Sequence, residues 1–196
     1  MTKTVDFYFD VGSPASYLAW TQLPELAKST NAEISWKPML LGGVFKATGN
    51  SSPATVAAKS RYNKMDMERF AESYKVPLKF NPFFPINTLH LMRGAVAYLS
   101  TKEFERYLET VFTALWANEK NLGDSLVIVD VLSSAGFDPA AVMAKSEEPQ
   151  VKESLKQLTQ EAVERGVFGA PTFFIGEEMF FGQDRLGQLK NYLLTA

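Results

Sequence analysis

Near the start of the chain Val5, Phe7 and Phe9 alternate with Asp6, Tyr8 and Asp10, the period of two expected of a strand. Gly12-Ser13-Pro14 ends the alternation. Serine followed by proline fits an N-cap and a first helical position: the serine oxygen accepts a free N–H, and proline has no N–H to lose. Tyr17, Leu18, Leu23, Leu26 and Ala27 continue at helical spacing and predict a helix to about Ser29. Ile34 to Lys37 predicts a second short strand, closed by Pro38, so the opening is β-α-β.

The middle of the chain is patterned for helices. Gly49-Asn50-Ser51-Ser52-Pro53 predicts a loop and Ala54 to Tyr74 a helix. Pro77, Pro82 and Pro85 interrupt the stretch from Pro77 to Asn87, after which Thr88 to Leu99 and Glu103 to Ala117 predict two more helices. Asp124 can cap a helix through Ser134, yet its Leu126-Val127-Ile128-Val129 centre suits a buried strand equally. Asp138-Pro139 starts a short helix, and Gln150 to Arg165 a longer one ending at Gly166. Thr172 to Ile175 and Met179 to Phe181 predict strands joined by a tight turn at Gly176-Glu177. Gly182-Gln183-Asp184 opens a last helix carrying Leu186, Leu189, Tyr192 and Leu193. The order is β-α-β, a helical block, then β-β-α.

Composition narrows the chemistry. The 196 residues are 46% hydrophobic and 21% charged, with a formal net charge of -2 and no basic stripe, which argues against a nucleic-acid surface. No apolar run approaches the roughly 20 residues that span a bilayer. The N-terminus lacks the basic start, apolar run and cleavage site of a signal peptide, so a cytoplasmic location is expected. There is no cysteine, which removes disulfides, thiolate metal sites and any catalytic protein thiol. With His90 the single histidine, and in a predicted helix, no metal centre is expected.

Phe168-Gly169-Ala170-Pro171-Thr172 places a proline directly before an apolar strand, where it cannot donate to a ladder. It serves either as a plain strand-entry turn or as a cis X-Pro bond. In a β-α-β…β-β-α chain this is where a thioredoxin fold has its cis-proline loop, facing the start of the first helix at Ser13. Ser13-Pro14-Ala15-Ser16 occupies the Cys-x-x-Cys position with serine in place of both cysteines. Unpaired N–H groups at a helix start favour an anionic sulfur. Ser13 is therefore either only a helix cap or the holder of a thiolate that a ligand brings, glutathione being the obvious soluble thiol.

Three blocks carry a family resemblance. They are Val5 to Asp10 with Ser13-Pro14 and Ser16 to Ala19; Gly49-Asn50 with Pro53 and Lys59; and Phe168 to Thr172 with Met179 to Leu186. Over nearly its full length the chain resembles the 2-hydroxychromene-2-carboxylate isomerases, bacterial relatives of the kappa-class glutathione transferases within the DsbA-like thioredoxin superfamily. The resemblance implies an α/β fold, a thioredoxin-like β-α-β/β-β-α domain over residues 1–40 and 165–196, interrupted by an all-α insertion over 41–164. It implies glutathione as cofactor, a small aromatic or conjugated carboxylate as substrate, and a homodimer.

By the same resemblance Ser13 is the active-site serine, its hydroxyl donating to the glutathione sulfur. Ala170, before Pro171, matches the position whose backbone pairs with the cysteinyl part. Gly182, Gln183 and Asp184 match the γ-glutamyl end, where Asp184 suits its ammonium group, Arg185 completes an Asp-Arg pair, and Phe181 counts among the glutathione-binding residues. Asp184 could otherwise be a helix cap, and Arg185 and Lys59 solvated surface charges. Lys59 matches a lysine for the glycyl carboxylate, and Asn50 lies in the matching loop, where turn chemistry also explains it. Lys46 lies near a family lysine for the substrate carboxylate, although its spacing to Gly49-Asn50 differs by one residue. Phe84 stands where the isomerases have a tyrosine, and Phe180-Phe181 where they have a tryptophan pair; Phe83, Phe84 and Trp116 could also be ordinary core. These departures bear on the substrate more than on the glutathione site.

Overall fold

The computed structural model describes residues 3–195. Its four-stranded sheet has the order β2-β1-β3-β4. β1 (Lys3–Phe9) and β2 (Ala32–Pro38) are parallel, with Lys3 opposite Ala32 and Phe9 opposite Pro38, and α1 (Pro14–Thr30) makes the crossover between them. β3 (Thr172–Ile175) runs antiparallel to β1, setting Phe7 opposite Phe173, and β4 (Glu178–Phe181) is antiparallel to β3. The first strand is thus central, paired on one side with its sequence neighbour and on the other with the far end of the chain.

Both faces of the sheet are covered. Val5, Phe7 and Phe9 are fully buried, and Phe7 stacks on Phe9 and Phe173 with centroids 5.1 and 5.2 Å apart. The positions that alternate with these are covered as well: Tyr8 is fully buried and Asp10 almost so. The cover is α2 (Leu41–Thr48) with α8 (Pro149–Glu164): Met39, Val44, Ala162 and Val167 pack with Tyr8 and Phe174. Tyr8 donates to Glu161 at 2.5 Å and accepts from Arg165 at 3.0 Å, while Arg165 also holds Asp6 at 2.7 Å. Burial, then the bond to Glu161, pushes the Tyr8 hydroxyl well above the ordinary tyrosine range.

The helical block contains α3 (Ala57–Tyr74), α4 (Leu89–Tyr98), α5 (Phe104–Trp116), α6 (Ser125–Ser134) and α7 (Pro139–Glu147), before α8. α3 starts later than its composition suggested, because Pro53–Thr55 forms a separate 3-10 turn capped by the Ser52 hydroxyl. The Leu126–Val129 alternative closes on helix, with the Asp124 carboxylate accepting from the Leu126 N–H at 2.9 Å. α5 buries Phe104, Tyr107, Leu108, Val111, Phe112, Leu115 and Trp116 at helical spacing. Each such side chain contributes about 1.5–3 kcal/mol of transfer free energy. Phe112 lies 6.1 Å from Phe9 and Phe104 lies 5.6 Å from Trp36, so one apolar core runs through both sheet and helices. α9 (Leu186–Thr195) follows β4 and a 3-10 turn at Gln183–Arg185. No single helix among the described residues is long and apolar enough to cross a membrane.

Candidate active site

Ser13 is the N-cap of α1, in extended backbone at φ -94°, with Pro14 as the first helical residue. Its Oγ accepts the Ser16 N–H at 3.1 Å and its hydroxyl donates to the Ala170 carbonyl at 3.2 Å. The Ala170–Pro171 peptide is cis, as expected for a thioredoxin-like loop at this place. The Ser13–Ala170 bond joins the serine and proline motifs across 157 positions of sequence.

The loop before Ser13 is fixed from three sides. The Val11 N–H donates to the Met92 sulfur at 3.3 Å, and the Trp116 indole Nε1 donates to the Val11 carbonyl at 2.8 Å. The Asp10 carboxylate accepts the Gly12 N–H at 2.9 Å and the Leu41 N–H at 2.8 Å, with Thr88 alongside. α2 has no cap of its own at Leu40, so Asp10 caps it from the end of β1. Burial pushes the Asp10 carboxyl above its ordinary value, opposed by these bonds. Gly12 fits close against Thr88: a Cβ there would stand 2.7 Å from the threonine methyl.

The opposite wall follows β4. The Gly182 N–H donates to the Pro171 carbonyl at 2.9 Å, and Gly182 adopts φ 101°, a region that favours glycine. A Cβ at Gly182 would strike the Asp184 carboxylate. The Tyr74 hydroxyl on α3 donates to the Gln183 carbonyl at 3.0 Å. Burial, and then the Asp184 charge, raises that hydroxyl's pKa. Asp184 and Arg185 are exposed and paired at 2.6 Å. Phe181 is exposed and packs on Phe168 with centroids 4.5 Å apart. Asn50 reaches across from its loop, its amide donating to the Phe168 carbonyl at 2.8 Å while its oxygen accepts the Ser51 N–H at 2.8 Å.

The remaining sequence-derived residues are not joined to this set by direct bonds. Lys46 in the last turn of α2 and Lys59 in the first turn of α3 are exposed. Phe84 packs on Trp116 at 5.8 Å and so stands one aromatic layer behind the Val11-Ser13 loop. Asp10, Tyr74, Thr88 and Met92 are additions from the structure. Asp10 alone carried a signal, an acid closing an apolar strand just before the serine. The assembled site offers a helix N-terminus, a hydroxyl and a backbone carbonyl beside a cis peptide, a setting for an anionic sulfur attached to an amide.

Comparison with known proteins agrees with this geometry. A model of the DSBA-like thioredoxin domain matches residues 4–194. A 2-hydroxychromene-2-carboxylate isomerase of Sphingobium xenophagum is 33% identical, over 99% of this chain and 100% of that one. A solved structure of a 2-hydroxychromene-2-carboxylate isomerase superposes with a TM-score of 0.85 at 34% identity, over 97% of this chain and 94% of the other. A more distant relative, glutathione S-transferase kappa 1 of Caenorhabditis elegans, is 28% identical over 96% of this chain and 90% of its own.

Proposed function

The chain belongs to the DsbA-like thioredoxin family and, within it, to the 2-hydroxychromene-2-carboxylate isomerases, and from that premise we propose a glutathione-dependent isomerase. It interconverts 2-hydroxychromene-2-carboxylate and trans-o-hydroxybenzylidenepyruvate, a step in naphthalene breakdown. The observation that carries this reading is the Ser13 hydroxyl, set at a helix N-terminus against the Ala170 carbonyl in a chain without cysteine. The environment that lowers a thiol pKa is present, and the thiol must come from a ligand.

The residues fit glutathione. Ser13 holds the sulfur, and the Ala170–Pro171 backbone takes the cysteinyl unit. Phe181, Gly182, Gln183, Asp184 and Arg185 receive the γ-glutamyl end, where the missing side chain at Gly182 lets the Asp184 carboxylate fold close over the turn. Asn50 and Lys59 serve the glycyl end. Lys46 takes the aromatic carboxylate, and Phe84 belongs to the aromatic layer that backs the substrate pocket. Glutathione bound there would supply a thiolate nucleophile for conjugated carbon. Ser13 and the α1 N-terminus keep the proton off that sulfur at neutral pH. Asp184 orients the ligand ammonium, and Lys46 the substrate carboxylate. A homodimer in the cytoplasm completes the reading.

The test is a mass balance. Purified protein should interconvert the two substrate isomers only when glutathione is present, and the glutathione concentration should not change. Consumption of glutathione in step with product would instead assign a kappa-like transferase. Tight glutathione binding without any rate on conjugated acceptors would reduce the protein to a binding module.

A further inference from the structure

Ser13 has a single hydroxyl hydrogen, and the structure shows where it goes. The Oγ lone pair takes the Ser16 N–H at 3.1 Å and the hydrogen points to the Ala170 carbonyl at 3.2 Å. A carbonyl oxygen only accepts, so the direction of the second bond is fixed. No other group among the described residues donates to the Ala170 carbonyl. The function proposed above needs that same hydrogen on a sulfur. Resting on that reading, we infer that Ser13 and the Ala170 carbonyl form a latch opened by the ligand's own cysteinyl N–H. The amide donates to the Ala170 oxygen, takes the place of the Ser13 hydroxyl, and frees its hydrogen for the sulfur.

The exchange leaves no partner stranded. Without ligand the carbonyl is satisfied by Ser13; with ligand it is satisfied by the amide, and Ser13 by the thiolate. Ala170 is half-buried in the free protein, and once the ligand covers its carbonyl an acceptor without a donor would be costly, so the two events are coupled rather than independent. A thiol with no neighbouring N–H leaves Ser13 on the carbonyl and stays protonated. Ala170, through its backbone oxygen, is therefore a specificity-determining residue: the site activates cysteinyl peptides and not simple thiols.

The probe is a depsipeptide analogue of glutathione in which an ester oxygen replaces the cysteinyl nitrogen, deleting the donor without adding bulk. Binding is measured by calorimetry, and ionisation of the bound thiol by its ultraviolet thiolate absorbance across pH. Ionisable groups on the surrounding elements, among them Asp10, Tyr17, Tyr74, Lys46, Lys59, Asp184 and Arg185, are common to both ligands, so the comparison isolates the amide. Bound glutathione should ionise well below the ordinary thiol value of about 8.5. The bound analogue should ionise closer to that value, with roughly ten- to a hundredfold less thiolate at neutral pH. In Ser13→Ala the two ligands should ionise alike, since the hydroxyl is gone. Equal ionisation of both ligands in the unsubstituted protein overturns the latch and leaves the glutathione reading standing; failure of glutathione itself to bind overturns both. If the analogue binds too weakly to saturate, a crystal structure of the glutathione complex decides. Ser13 Oγ moved off the Ala170 oxygen and onto the sulfur upholds the latch, and a retained Ser13–Ala170 bond overturns it.

Discussion

The loop around Ser13 and the helix ends that carry Lys46 and Lys59 are built from different materials. The loop around Ser13 is backbone held by buried groups: Trp116 and Met92 on Val11, Asp10 on Gly12 and Leu41, Ala170 on Ser13. The side that carries Lys46 and Lys59 is built from long exposed side chains with their full rotamer freedom. In the function proposed above, the Ser13 loop supplies a fixed dipole, whereas the carboxylate contacts assigned to the two lysines tolerate flexible cations. The difference predicts that substitutions in the first region cost far more than those in the second.

The largest effect should come from Ser13→Ala. Losing one hydrogen bond to a charged group is worth roughly 1.5–3 kcal/mol, so isomerisation should slow about ten- to a hundredfold, and the thiolate should titrate at higher pH. An unchanged rate and titration would leave Ser13 a helix cap and dissolve the contrast. Trp116→Phe comes next. It keeps the ring but strips the donor from the buried Val11 carbonyl, and should cost about 1–3 kcal/mol in urea denaturation.

Asp184→Ala should weaken glutathione binding about tenfold. The turn in front of Asp184 is fixed by the Gly182–Pro171 and Tyr74–Gln183 bonds. Lys59→Ala should cost less than about fivefold, the range of exposed ion pairs. Calorimetry giving the reverse order would break the comparison.

The smallest effect is a slope. Burial raises the Asp10 carboxyl in the folded protein, so the folded state holds its proton more tightly than the unfolded chain does. The associated stability is present below the unfolded value of about 3.9 and is lost as pH rises through the raised folded value. Asp10→Asn lacks this slope. The stability of the parent minus that of the variant should therefore fall as pH rises across the acid range, and a difference independent of pH would show that the Asp10 charge is not strained by burial.

Much of this was legible along the chain. The period of two marked β1, Ser13-Pro14 marked the start of α1, and Pro171 before an apolar strand marked the loop that meets it. These are local signals with local causes. α2 escaped because Gly42-Gly43 are poor helix formers and its cap is Asp10, thirty-one positions from Leu41. Leu126-Val129 was ambiguous because periodicity alone cannot separate a short buried strand from a helix; Leu126 and Val129 prove largely exposed. Tyr8 sits in polar positions of the alternation, but α8 from the middle of the chain covers that face. The Trp116–Val11 and Asn50–Phe168 bonds span 105 and 118 positions, and nothing near either residue announces its partner.

The central place of β1 has a consequence for the chain during its synthesis. Its first strand leaves the ribosome early and can pair at once with β2. Its other edge, with Phe7 and Phe9 beside it, has no partner until Thr172–Ile175 has been made. Val11 likewise waits for Met92 and Trp116. For most of translation the nascent protein therefore carries a bare, apolar strand edge, the feature that templates aggregation. The Val11-Ser13 loop is among the first residues made and among the last to become ordered, and a chain stopped before Thr172 leaves an exposed edge rather than a smaller enzyme.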